Sequence, residues 1–229
     1  MFTVEATIGR PREFDERPYI QKSADNLFSL PIFVIMGLYR RVGPLPYTFV
    51  IQRRNRQLRR LHMFSISVSN LHWMEGIDPT EDLCLHGNAK AIIGHEILEY
   101  DDATVSSTAL YLLKSLKEDH KIYESNQMLP CCGFFMIANE ELSKVDICGC
   151  PNGVDWSVLH ENGNVVLVTE AGERTEILFD EYKTTVFAFA DQVEAFYNAA
   201  ADKKLPEDEF DRNGYIAFWN EWKAIRYGI

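Results

Sequence analysis

The sequence predicts an α+β fold in which an antiparallel β-meander sheet is packed by C-terminal helices, within one domain over residues 1–229. Two patterns carry this reading. Residues 132–179 break into short apolar runs separated by Asn152-Gly153, Asn162-Gly163 and Ala171-Gly172, and Asn-Gly pairs accept the positive φ values of tight hairpin turns. Residues 181–201 and 211–226 then switch to apolar spacings of three and four, the period of a helix lying on a sheet. An apolar fraction of 46% and a charged fraction of 25% are ordinary for a globular chain and exclude wholesale disorder.

Taken in order, Phe2, Val4, Ala6 and Ile8 alternate with polar residues, which predicts a strand. Residues 31–39 and 47–52 are β-branched and aromatic enough for two more, divided by Gly43-Pro44-Leu45-Pro46. The basic run Arg53 to Arg60 follows as a loop or strand end, and the alternation over 63–68 starts another strand. Ile92, Ile93 and Ile97 around Gly94 predict one long or bulged strand over 88–100. Leu110, Leu113 and Leu116 predict a helix over 103–118, with Asp101-Asp102 at its dipole-favoured start. In the first closing helix Tyr182, Val186, Phe189, Val193, Phe196 and Tyr197 form a stripe; in the second, Asp211 is the expected N-cap and Gly228 the stop.

Charge is unevenly divided. Residues 1–70 hold 11 Lys/Arg against 5 Asp/Glu, a basic and β-rich part, whereas residues 71–229 hold 12 against 29, a net −17. The field of such a chain disfavours nucleic acid and anionic membranes and favours a basic protein partner. The longest apolar run, residues 27–38, is interrupted by Ser29, Pro31 and Gly37 and is too short to span a bilayer. The start shows no basic-then-apolar leader, so a cytoplasmic location is expected. Five cysteines, an odd number, then favour reduced thiols over a disulfide framework.

Cys131, Cys132, Cys148 and Cys150 form the main chemical constellation. Thiolates converging with His160 or His95 would hold zinc. Against this, the C-x2-C pairs of zinc ribbons are missing, and neighbours such as Cys131 and Cys132 point to opposite faces of an extended strand. Core packing is therefore preferred, no cofactor is expected, and zinc is the alternative. Redox cycling of Cys148-Gly149-Cys150 is opposed by Glu140, Glu141 and Asp146, which would raise the thiol pKa. His86 and His95 lack the i, i+4 spacing of a metal-hydrolase helix. The run Arg53 to Arg60, flanked by Tyr47, Phe49 and Phe64, is read as an ion-pairing surface ahead of a phosphate contact. Glu207, Asp208, Glu209 and Asp211 beside Tyr215, Trp219 and Trp222 are the expected partner-binding residues, an aromatic patch with a carboxylate rim, although aromatics at helical spacing also serve as core.

The words Pro130-Cys131-Cys132-Gly133-Phe134, Asn152-Gly153-Val154-Asp155-Trp156 and Phe189-Ala190-Asp191-Gln192-Val193-Glu194-Ala195-Phe196-Tyr197 resemble a group of small uncharacterised bacterial cytoplasmic proteins. That resemblance implies a bacterial source and supplies no catalytic residues. In architecture and charge the chain is also similar to acidic immunity proteins of polymorphic-toxin and contact-dependent inhibition systems. The expected function is thus a non-enzymatic protein-binding protein that neutralises a basic toxin, and the alternative is a small zinc- or thiol-dependent enzyme using the four cysteines.

Overall fold

A computed structural model describes residues 64–124, 126–132 and 135–228. The strands expected over 2–8, 31–39 and 47–52 and the basic run Arg53 to Arg60 lie outside the described residues. What is described is α+β: three helices pack on antiparallel strands.

The alternation beginning near residue 63 becomes β1 (Phe64–His72), which pairs with β2 (His86–Ile93), which in turn pairs with β3 (Glu96–Thr104). The single strand expected over 88–100 is therefore a hairpin. Ile93 pairs with Glu96 across Gly94-His95, and Gly94 has φ +59, a backbone state glycine enters without steric cost. The turn is anchored from outside, because the His95 amide donates to Glu173 Oε1 at 2.8 Å. The bulge falls elsewhere: Tyr100 pairs with Ala89 and Ala103 with Gly87, so Asp101 and Asp102 together face Asn88. Asp102 takes φ +57 and its amide donates to Asn88 Oδ1 at 3.2 Å. Asp101 and Asp102 thus belong to β3 and do not open the next helix.

That helix, α1 (Val105–Lys114), is shorter than expected and has no acid in its first turn. Ser106 fastens its start by a reciprocal pair, its amide donating to Leu85 O and its hydroxyl accepting from the Leu85 amide at 3.1 Å. Val105 to Leu110 and Leu112 and Leu113 are all buried, so α1 is wrapped by the fold instead of capping it.

The meander forms in two pieces. β5 (Phe135–Ala138) pairs with β6 (Val145–Cys148), while β8 (Trp156–Glu161), β9 (Asn164–Thr169) and β10 (Arg174–Leu178) form a second sheet in the order β10-β9-β8. Asn162 at φ +49 and Gly163 at φ +82 make the expected two-residue hairpin between β8 and β9. Asn152-Gly153 does not. Gly153 belongs to β7 (Gly153–Val154), which pairs with β4 (Leu129–Pro130), and a side chain there would press on the Leu129 carbonyl. The glycine serves a close backbone approach between distant segments, which splits the meander.

Both closing helices form, as α2 (Phe179–Ala199) and α3 (Glu209–Arg226). Tyr182, Val186, Phe189, Val193 and Tyr197 of the expected stripe are buried. Asp208 is the N-cap of α3, not Asp211: its carboxylate accepts from the Phe210 amide at 2.9 Å and the Asp211 amide at 3.1 Å. Gly228, at φ +74, follows the end of α3. Among the described residues no helix is long and apolar enough to cross a membrane.

Glu221, buried in α3, ties three elements together. It accepts from the Val145 amide at 2.9 Å and pairs at 3.4 Å with Lys114 of α1, whose ammonium also donates to Val145 O at 2.9 Å. Glu221→Ala strands the ammonium and an amide, and is expected to lower urea-unfolding stability by about 3–5 kcal/mol, with Glu221→Gln costing less. Gly214 sits where α3 crosses β5, and a Cβ would overlap the Met136 carbonyl and lie 2.7 Å from Met136 Cβ. Alanine gains about 1 kcal/mol of helix propensity, but forcing a backbone apart costs about 1–3 kcal/mol. Gly214→Ala is expected to be net destabilising in the same measurement, and a gain in stability would refute this reading of the crossing.

Candidate functional site

Three cysteine sulfurs converge where β4 leaves its strand. Leu129 pairs with Val154 and Pro130 with Gly153, and the Cys131 amide continues the ladder by donating to Asn152 O at 3.2 Å. This brings Cys131 against Cys150, and the two are joined as a disulfide. The Cys132 sulfur lies 3.3 Å from that of Cys131 and accepts from the Cys150 amide at 3.4 Å. All three residues are half-buried, and their sulfurs lie within 4.8 Å of one another.

Several expectations about the cysteines are corrected by this geometry. Cys131 and Cys132 do not point apart, because β4 ends at Pro130 and the chain bends at Cys131, so strand alternation no longer applies. Cys148, expected with the other three, ends β6, is exposed and lies outside the sulfur group. The preference for reduced thiols is replaced, at Cys131 and Cys150, by a bond. Cys84 lies away from the cluster, and burial, with the Asp82 carboxylate adding to it, pushes its thiol up to about 12.

The histidines stay apart from the sulfurs. His95 occupies the β2–β3 turn, and His160 Nδ1 lies 2.8 Å from Asp119 Oδ1. That hydrogen bond, helped by one from the His160 amide, holds the Asp119 carboxyl below its ordinary value. His86 is buried on β2 with its Nδ1 3.9 Å from Asp102 Oδ1, and His72 Nε2 reaches the same oxygen at 3.2 Å. Among the described residues, the cysteine trio is the group of His, Cys and acid side chains whose spacing suits a metal.

The acidic and aromatic residues near the C-terminus separate. Glu207, Asp208, Glu209 and Asp211 are exposed around the start of α3, whereas Tyr215 and Trp222 are buried and Trp219 is half-buried with its ring 5.0 Å from that of Tyr197. The helical aromatics are core, as their spacing also allowed. In their place the surface offers Phe210, 46% exposed, stacked edge-on to Phe135, 59% exposed, at 6.5 Å, with Ile137 on the same exposed face of β5. Sequence reasoning missed this pair; Phe210 embedded in the acidic stretch was the available signal.

Two further features were not legible. Lys203 Nζ lies 3.0 Å from the centroid of the Trp73 ring and donates to Pro79 O and Asp82 O, both at 2.6 Å, strapping the chain before α3 onto the loop after β1. Burial pushes its pKa down to about 8, partly offset by the Asp82 carboxylate. A polar cleft of about 210 Å³ is lined by Tyr111, Lys114, His120, Asn126 and Asp146. Its side chains hold the fold: Tyr111 donates to Ile147 O at 2.9 Å, and His120 Nε2 lies 2.8 Å from Asp155 Oδ1.

Compared with protein-family models, with curated proteins and with solved structures, the chain matches none.

Thiolate availability orders the cysteines by reactivity. Iodoacetamide at about pH 8 on the native, unreduced protein is expected to modify Cys148 first and to leave Cys84 unmodified until the protein unfolds. Peptide mapping by mass spectrometry reads the order, and early labelling of Cys84 would contradict its burial.

Proposed function

We propose that this protein is a non-enzymatic binding protein that receives a basic protein, in the manner of a cytoplasmic immunity protein that neutralises a cationic toxin. The observation that carries the reading is the exposed Phe135–Phe210 pair beside Glu207, Glu209 and Asp211. Interfaces take most of their affinity from a few large apolar anchors, each contributing about 1.5–3 kcal/mol when fully buried. The carboxylate rim then selects the sign of the partner and speeds encounter. The net −17 of residues 71–229 extends that field well beyond the rim.

Surface ion pairs such as Lys204 with Glu81 at 3.2 Å and Arg226 with Asp191 at 2.7 Å leave this balance unchanged, since each pairs one charge of either sign.

The test immobilises the full chain and compares it with Phe210→Ser and with Glu207→Lys/Glu209→Lys for capture of basic proteins from a bacterial lysate. A single basic protein retained by the parent, weakened at least about tenfold by either variant and released by salt, is the expected result. Capture that neither variant changes would remove the surface from consideration.

A further inference from the structure

We propose that Cys131, Cys132 and Cys150 form a redox-gated site for one thiophilic metal cation, bound by three thiolates when the Cys131–Cys150 bond is open. The inference is independent of the partner-binding reading. It rests on the three sulfurs lying within 4.8 Å of one another and on the amide of Cys150 already donating to Cys132 Sγ.

The spacing suits a metal once the bond is open. Zinc–thiolate bonds of about 2.3 Å put tetrahedral sulfurs about 3.8 Å apart. Cys132 already stands 3.3 Å from Cys131, so the main change needed is for the Cys131 and Cys150 sulfurs to part from bonding distance to the spacing of two metal ligands. The pairing of β4 with β7 and the Cys131 amide's hydrogen bond to Asn152 O keep the two segments together without the bond, so the sulfurs do not need it to remain neighbours. Half-burial leaves a route for the ion and excludes part of the competing water.

Three ligands, not four, define the chemistry. Cys148 and the described histidines lie outside the group, and His160 Nδ1 is held by Asp119. A three-thiolate site favours soft ions; with Zn²⁺ the fourth position falls to water or to an added ligand. On binding, the three thiol protons pass to solvent.

The gate is thiol–disulfide exchange with a small-molecule disulfide. The Cys131 thiolate attacks one sulfur of that molecule and expels one small thiolate. The Cys150 thiolate then attacks the Cys131 sulfur of the mixed disulfide and expels the second. One S–S bond breaks and one forms, the two small thiolates leave with the electron pairs and take up the two protons, and the protein loses two of its three metal ligands. An excess of small thiol runs the sequence backwards and restores the site.

The experiment titrates the phosphine-reduced and the unreduced full chain with Zn²⁺ against a chromogenic chelator, with Cd²⁺ as a second probe through its sulfur-to-metal charge-transfer absorption. Near-ultraviolet circular dichroism reports the fold in each state. The reduced chain is expected to take one Zn²⁺, Cys132→Ser to weaken binding at least about tenfold, Cys148→Ser to bind as the parent, and the unreduced chain to bind none. The proposal is overturned if the reduced chain takes no stoichiometric metal or loses its near-ultraviolet spectrum, if Cys132→Ser binds as the parent, if Cys148→Ser loses the metal, or if the unreduced chain binds equally well. Cys132→Ser leaves the Cys131–Cys150 pair intact, so its fold can be verified before reduction.

Discussion

Burial of α1 on nearly all sides is the constraint on which the other elements depend. A helix with Leu110, Leu112 and Leu113 sealed from water has no single apolar stripe to satisfy, so sheets and helices must enclose it. The β1–β2–β3 sheet leads directly into it through Thr104 and Val105, and both α2 and α3 pack against it. Small side chains at Ser106, Ser107, Thr108 and Ala109 let neighbours approach closely. The enclosure is not without cost. The Ser107 and Thr108 hydroxyls are buried without a hydrogen-bond partner among the described residues, and the Leu-rich packing around them must offset that.

From this centre, one carboxylate leads to the sulfur cluster. Asp155 Oδ1 accepts from the Met128 and Trp156 amides and from His120, while His120 and Val158 exchange backbone hydrogen bonds. The segment between α1 and β4 is thereby laid along β8. β4 starts at Leu129, one residue beyond the Met128 contact, so its pairing with β7 and the meeting of Cys131 with Cys150 follow from where Asp155 holds the chain. The cysteines are neighbours because a buried polar junction delivers them, and His120 of the adjoining cleft is spent on that junction.

The charges divide into two roles that burial decides. Lys114 and Glu221 meet in the interior, where each is satisfied by the other and by Val145, and there the pair fixes how α1, α3 and β6 sit together. The exposed pairs, such as Lys90 with Glu99 at 3.4 Å, contribute little to stability. The exposed pair Phe135–Phe210 lies within this charge surplus of residues 71–229, and it is the surface proposed above to receive a basic partner.

The sequence by itself determined what local physics determines. The stripe from Tyr182 to Tyr197 made α2 legible because helical period is an intrachain property, and Asn162-Gly163 announced its hairpin because both residues tolerate positive φ. The same local signals misled where a distant segment decided the outcome. Gly94 reads alike as a bulge or a turn until β2 and β3 are paired, and Asn152-Gly153 reads as a hairpin until β4 arrives to use the missing side chain. For the site, composition exposed the cysteines and the acids, but only tertiary structure chose three sulfurs out of four and moved the exposed aromatics from Tyr215 and Trp222 to Phe135 and Phe210. The physical reason is common to both: which sulfurs meet, and which rings face water, depends on register and packing between segments far apart in the chain, and that information resides in no short stretch of it.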